Sequence, residues 1–426
     1  MILLKLIAII LVAVMLLPIG LTASAQTGFA NFVHEISYVQ GQFEDVNPDD
    51  WFSGYVRYAY NFGLIKGRGE TAFAPHGMLT LGEAVALAAR LRSIYHTGHA
   101  DFPPSEPFYA VYAEYALENG IIAEHGNYGA FVTRTHFASI IFNSLPEEFF
   151  VVVNEIPPFG IVDVSYSADT NSIYALYRAG VLSGSDRFGT FLGSTHISRA
   201  EVSAILVRVV DRSSRIEMTL PSSLPVEELF IRSSSAAFMI ETFGIDNESI
   251  RTGSGFFIDE SGLAVTALHV LDNAHSATIE LFSGEIYPIL GIRAINEEFN
   301  LAIIQVDSEK NGWSYLTLAD SDTIEVGNTV FAIGSPHSLI NSISEGIVAF
   351  SSRTFDEESM IQFTAPISFG SGGGPILNAL GQVVGVASSS FTHGQNINLA
   401  IPVNLVRNLV PGEIMTFEEY WNMKDA

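Results

Sequence analysis

Between residues 43 and 212 one pattern returns three times, and it restricts what this part of the chain can build. The first copy reads Phe43, Asp45, Val46, Trp51 and Phe52, a helical stretch to Gly63-Leu64-Ile65, then Gly67, Phe73, Pro75 and Leu79-Thr80 before a second helix. The second shows Phe108, a helix to Gly120-Ile121-Ile122, Phe131 and Thr133-Arg134. The third shows Phe159, Asp163, Val164, Gly180-Val181-Leu182, Gly184, Phe191 and Ile197-Ser198-Arg199-Ala200-Glu201. Tyr55, Tyr58, Ala59 and Phe62 fall at i, i+3, i+4 and i+7, which predicts one apolar helical face, with Gly63 free to take the left-handed conformation that ends it. Thr80 and Ser198 precede Glu83 and Glu201 by three residues, the capping-box spacing that satisfies orphaned amides at a helix start. Each unit is then helix, loop, helix. One such pair cannot cover its own apolar face, so the three are expected to pack as a single all-α module.

The chain has 426 residues, enough for two or three domains at about 150 residues each. With 48% hydrophobic and 15% charged residues it reads as globular rather than disordered. A net charge of -26 would repel a phosphate backbone, which excludes nucleic acid as a partner. There is no cysteine, so disulfides, thiolate metal sites and a Cys nucleophile are excluded. No HExxH or clustered His pattern suggests a metal, and no cofactor is expected. Residues 6–20 form an apolar run behind Lys5 and lead to Ala23-Ser24-Ala25, a small-x-small site. Residues 1–25 are therefore expected to be an export signal cleaved after Ala25, with an uncleaved anchor as the alternative. No later segment is apolar for long enough to span a bilayer, so an exported product without a membrane span is expected.

The repeats resemble S-layer homology (SLH) domains over residues 40–212, as copies at about 40–95, 101–150 and 157–212. That resemblance implies tethering to cell-wall polysaccharide, hence a location at the cell surface, wall or S-layer. In SLH domains a TRAE-like element at the second helix start contributes to ligand binding. The third copy keeps Ser198-Arg199-Ala200-Glu201, the second keeps Thr133-Arg134 but has His136 for the glutamate, and the first, Thr80-Leu81-Gly82-Glu83, lacks the arginine. Arg134, Arg199 and Glu201 are accordingly the candidate wall-binding residues, a guanidinium at a helix start being a plausible fork for an anionic sugar substituent. The competing reading is that they only cap helices.

Residues 213–235 are rich in Ser and Pro and read as a linker. Beyond it come short runs rich in Val, Ile, Phe and Thr, punctuated by Gly, Asn, Asp and Ser, at 255–258, 277–281, 301–306, 329–333 and 382–387, the rhythm of antiparallel sheet closed into barrels. Thr252-Gly253-Ser254-Gly255-Phe256, Val265-Thr266-Ala267-Leu268-His269-Val270 and Gly370-Ser371-Gly372-Gly373-Gly374-Pro375 follow in that order. Together they resemble the trypsin-like serine peptidases of the HtrA/Deg type over residues 236–412. The resemblance implies an all-β pair of six-stranded barrels with the active site between them, and residues 413–426 as a tail too short for a PDZ domain.

Such chemistry needs an imidazole base, a carboxylate that fixes its tautomer, a hydroxyl nucleophile and amides aimed at the oxyanion. His269 matches the base. Where the family has Asp-Leu-Ala, this chain has Asn300-Leu301-Ala302, a change that costs about 10⁴ in turnover in a serine protease. Glu297 and Glu298 are near in sequence, but the strand pattern gives neither the right position. The flanks 362–368 and 373–386 both place Gly372 at the serine, with Ser371 one residue early, its anchor displaced by about 3.8 Å. Gly370 and Gly372 still offer oxyanion-hole amides. The residues therefore point to a wall-anchored peptidase homologue that binds peptides or proteins with weak or no activity. The alternative is an active serine endopeptidase using His269 with the displaced Ser371, and the least specific reading is a structural wall protein.

Overall fold

The computed structural model describes residues 28–424 except 166, 168, 308–311, 356–357 and 389–396; the export signal expected at residues 1–25 lies outside the described residues. The chain divides into two compact units, Met1–Val151 with His196–Arg215, and Val152–Thr195 with Ile216–Ala426. The repeat region supplies helices α1 (Ser53–Asn61), α2 (Leu81–Thr97), α3 (Ala110–Glu118), α4 (Arg134–Asn143), α5 (Thr170–Arg178) and α6 (Arg199–Val210).

In the first unit the segments entering α2, α4 and α6 meet in a closed backbone ring. The Leu79 N–H donates to Ile197 C=O at 3.0 Å, Ile197 N–H to Val132 C=O at 3.3 Å, and Val132 N–H to Leu79 C=O at 2.9 Å. Three buried amides thereby satisfy one another, one from each copy, which is the physical content of the threefold pattern. Both expected capping boxes form: Thr80 and Ser198 accept from the amides of Glu83 and Glu201, whose carboxylates return to the cap amides. Thr133 accepts from the His136 amide but has no glutamate to close the box. Gly63 ends the first helix with φ +66°, as expected.

The buried face of α1 is rotated from the expected one. Phe52, Val56 and Ala59 are buried while Tyr58 is 41% exposed. The small Val and Ala side chains allow the close approach to α6, and the exposed Tyr58 ring lies against the Arg57 guanidinium. Asp45 accepts from the amides of Phe73 and Ala74 at 2.8 and 2.6 Å, holding Ala74 at φ +60°.

In the second unit Asp163 does the same for Phe191 and Leu192, at 2.7 Å each, and burial raises its carboxyl above the ordinary value despite those two amides. Helix α7 (Val226–Ser234) precedes twelve strands: β1 (Ala237–Phe243), β2 (Ser249–Phe257), β3 (Leu263–Ala267), β4 (Ser276–Leu281), β5 (Ile286–Asn296), β6 (Leu301–Val306), β7 (Thr329–Gly334), β8 (Ser342–Phe355), β9 (Glu358–Phe363), β10 (Pro375–Asn378), β11 (Val383–Ala387) and β12 (Asn398–Pro402). They close into two six-stranded antiparallel barrels, β1-β2-β3-β6-β5-β4 and β10-β11-β12-β9-β8-β7. Every residue of β6 is buried because both of its faces are covered. Ala302, Ile304 and Val306 fill the first barrel, and Leu301 and Ile303 join Phe256, Phe331 and Leu377 in a core shared by the two barrels. The strand period of two thus serves two cores, which is why the sequence there is continuously apolar.

Three boundaries differ from the expected ones. The third repeat divides between units, and its first half packs on the barrels: Val162 and Phe188 join the shared core, and the buried Gln382 side chain donates to Ile161 C=O at 2.9 Å. The segment expected as a linker at 213–235 holds α7, whose Leu229 is fully buried in the same core. After α8 (Val403–Arg407), the expected tail at 413–426 contains α9 (Phe417–Lys424), which buries Phe417 and Tyr420 in the first barrel's core. In each case one or two large apolar residues inside a polar stretch pin the segment down.

Candidate active site

Strand pairing brings the first two positions together. β3 lies antiparallel to β6 with Ala267 opposite Leu301, so the turn after β3 (Leu268–Leu271) meets the residue before β6. The Leu268 N–H donates to Asn300 C=O at 2.9 Å, and Asn300 takes φ +53°, a conformation asparagine tolerates better than most residues. Its Oδ1 accepts the His269 backbone N–H at 2.8 Å, and its Nδ2 lies 2.7 Å from His269 Nδ1.

That pair of contacts fixes the tautomer. A backbone N–H can only donate, so the atom facing it is the amide oxygen and the atom facing Nδ1 is the NH2 group. Nδ1 therefore accepts, and the neutral ring carries its proton on Nε2. Burial pushes the His269 imidazole below its ordinary value; Arg251 acts in the same direction and Asp272 against it. Asn300 would raise the value if its oxygen faced Nδ1, but with the nitrogen there the contact favours the neutral ring. Glu297, exposed, meets Tyr420 and Lys424 on α9 instead.

The glycine-rich turn supplies the rest. A Cβ built on Gly372 would stand 3.3 Å from both Cε1 and Nε2 of His269. Position 372 thus faces the imidazole. Ser371 is buried, and among the described residues its Oγ is hydrogen-bonded to the Ser368 amide at 3.4 Å, packed against Gly334. Gly373, at φ +86°, has no room for a side chain, since a Cβ would meet Ser254 C=O at 2.4 Å.

Ser254 is a positioning residue that the sequence reading did not assign. Its N–H donates to Gly372 C=O at 2.9 Å and its Oγ to Gly370 C=O at 2.7 Å, while the Ser335 N–H donates to that Oγ at 2.9 Å. Thr266 Oγ1 donates to Ser254 C=O at 2.8 Å. One buried serine of the first barrel therefore anchors the turn of the second. Its only signal was its place inside the Thr-Gly-Ser-Gly-Phe motif.

In the first unit Arg199 is buried, with Nε and Nη2 donating to the carbonyls of Phe73 and Lys66 at 3.0 and 2.5 Å and Nη1 3.5 Å from Glu83. Arg134 is buried too and pairs with Glu201, which also closes the capping box. The wall-binding candidates are thus brought together as structural partners, with Arg199 turned into the module rather than out of it.

Comparisons with known proteins follow the same division. Residues 253–386 match the trypsin-like peptidase domain, so the double barrel is of that class. Residues 42–85 and 162–203 match the S-layer homology domain. The matched copies are the first and third, those that carry the amide-binding Asp45 and Asp163. Over 169 residues the chain is 35% identical to serine protease HTRA1B of Danio rerio, covering 38% of this chain and 35% of that protein. Over 159 residues it is 31% identical to the putative serine protease HhoA of Synechocystis, covering 36% and 40% respectively. A solved HtrA-type protease with a tripeptide aligns with TM-score 0.41 and 26% identity over 43% of this chain and 62% of that one. The chain carries SLH domains and an HtrA-like peptidase domain, and it spans between a third and two-fifths of the length of these curated relatives. Among the described residues no helix is long and apolar enough to cross a membrane.

Proposed function

We propose that this chain is an exported, cell-wall-anchored protein whose trypsin-like domain holds peptide or protein segments in its cleft without hydrolysing them. Its SLH domains support anchoring at the cell surface. The observation that carries the rest is the facing pair Gly372 and His269: position 372 brings no hydroxyl to the imidazole it faces, and the ring nitrogen that would accept such a proton already bears one. Loss of the nucleophile alone costs on the order of 10⁶ in turnover. The displaced Ser371 is directed to Ser368 and Gly334, which gives a Ser371-dependent mechanism no support. Wall polymer is assigned to the SLH domains, with Arg134, Arg199 and Glu201 shaping that surface rather than contacting the polymer directly.

The test is casein turnover and fluorophosphonate labelling of the purified chain. Neither is expected above background. Turnover abolished by His269→Ala, or an adduct on Ser371, would overturn the reading.

A further inference from the structure

The cleft offers three N–H donors. Across a trans peptide the N–H points away from the preceding carbonyl. Phe369 C=O is held by the His337 N–H at 3.0 Å, so the Gly370 N–H faces away from that loop; Ser371 C=O is held by the Gly374 N–H at 3.1 Å, so the Gly372 N–H faces out of the turn. Among the described residues neither amide has an acceptor. The third donor is His269 Nε2–H, beside the space above Gly372, a partly exposed residue.

We propose that this cleft is a receptor for the free C-terminal carboxylate of a peptide. One carboxylate oxygen takes the Gly370 and Gly372 amides, and the other takes Nε2–H in the space that a serine side chain would fill. The proposal rests on the peptide-binding reading above and names its ligand end. A triad with aspartate and serine presents a basic Nε2 and a hydroxyl there, which suit an acyl carbon; three N–H groups suit an anion, whose two oxygens are acceptors only. Arg251 contributes a positive charge at His269 and Asp272 a negative one.

The experiment captures an N-terminally labelled random hexapeptide pool on the immobilised full chain, once with free C-termini and once C-terminally amidated. The free-acid pool is expected to be retained about tenfold more, the discrimination of one or two charge-assisted hydrogen bonds. His269→Ala and, separately, Gly372→Val, which fills the space, should each bring acid retention down to the amide level. Equal retention of both pools by the unaltered chain, or acid preference surviving both substitutions, overturns the carboxylate proposal and leaves peptide binding standing. Retention of neither pool overturns both readings.

Discussion

The Asn300 side chain grips His269 at two points, accepting its backbone N–H at 2.8 Å and placing the amide nitrogen 2.7 Å from Nδ1. The same two points held by a carboxylate would give the opposite tautomer, because Nδ1 would then have to donate. Long-range nitrogen–proton spectra of the labelled protein should therefore show the His269 proton on Nε2. Asn300→Asp should move it to Nδ1 and raise the ring's pKa. A proton on Nδ1 in the unaltered chain would reverse the argument.

The depressed His269 pKa has a stability consequence with a definite sign. Between the folded value and the unfolded value of about 6.5, the unfolded chain binds the extra proton, so stability rises with pH across that window. It is lost as the pH falls below about 6.5 toward the folded value. Urea midpoints measured at several pH values should show this slope, and His269→Gln should flatten it relative to the unaltered chain. Identical slopes would mean that the ring protonates freely in the folded state.

Activity should be recoverable by two substitutions together and scarcely by either alone. Gly372→Ser is sterically feasible, since its Cβ would contact only the His269 ring, at 3.3 Å, beyond its own chain neighbours, asking the ring to shift by a few tenths of an ångström. Without the carboxylate, however, Nε2 carries a proton and cannot accept one. Adding Asn300→Asp to Gly372→Ser is expected to raise casein turnover by about 10⁴ over Gly372→Ser alone. A single substitution reaching the activity of the pair would show that the tautomer is not the obstacle.

How much of this was legible in the sequence differs from place to place. The capping boxes and Gly63 were readable because each depends on spacing along one turn, whereas the pair of barrels and the register of Gly372 were readable only through the resemblance to trypsin-like peptidases. Ser254 was not, because its role exists only where a residue of one barrel meets a turn of the other, more than a hundred positions away. The helical face of α1 was misplaced because tyrosine was counted as core, although its polar end lets it stay at the surface. The linker and tail were misread for a related reason: composition averages over a segment, whereas Leu229, Phe417 and Tyr420 decide its fate individually.

The two arginines of the repeat module should separate in stability measurements. Arg199→Ala strips donors from the buried Phe73 carbonyl and from the Lys66 carbonyl and leaves Glu83 without that partner, and is expected to cost about 2–4 kcal/mol in urea unfolding. Arg134→Ala leaves Glu201, partly exposed and still bound to the Ser198 amide and hydroxyl, and is expected to cost about 1 kcal/mol. The opposite order would mean that Arg199 is held by its surroundings rather than holding them.

The division of the third repeat bears directly on how the peptidase-like domain can be isolated. A fragment beginning at residue 216 loses Val162 and Phe188 from the shared core and leaves the fully buried Gln382 amide without the Ile161 carbonyl. Each apolar side chain stabilises by about 1.5–3 kcal/mol when buried, and an unsatisfied buried amide costs about 1–3 kcal/mol. Such a fragment is therefore expected to unfold at clearly lower urea than one beginning at residue 152, which keeps both. Equal midpoints would show that the repeat segment merely rests on the barrel. If the midpoints differ as expected, loss of peptide retention in the shorter fragment reports unfolding rather than the chemistry of the cleft, and only substitutions in the full chain can assign the latter.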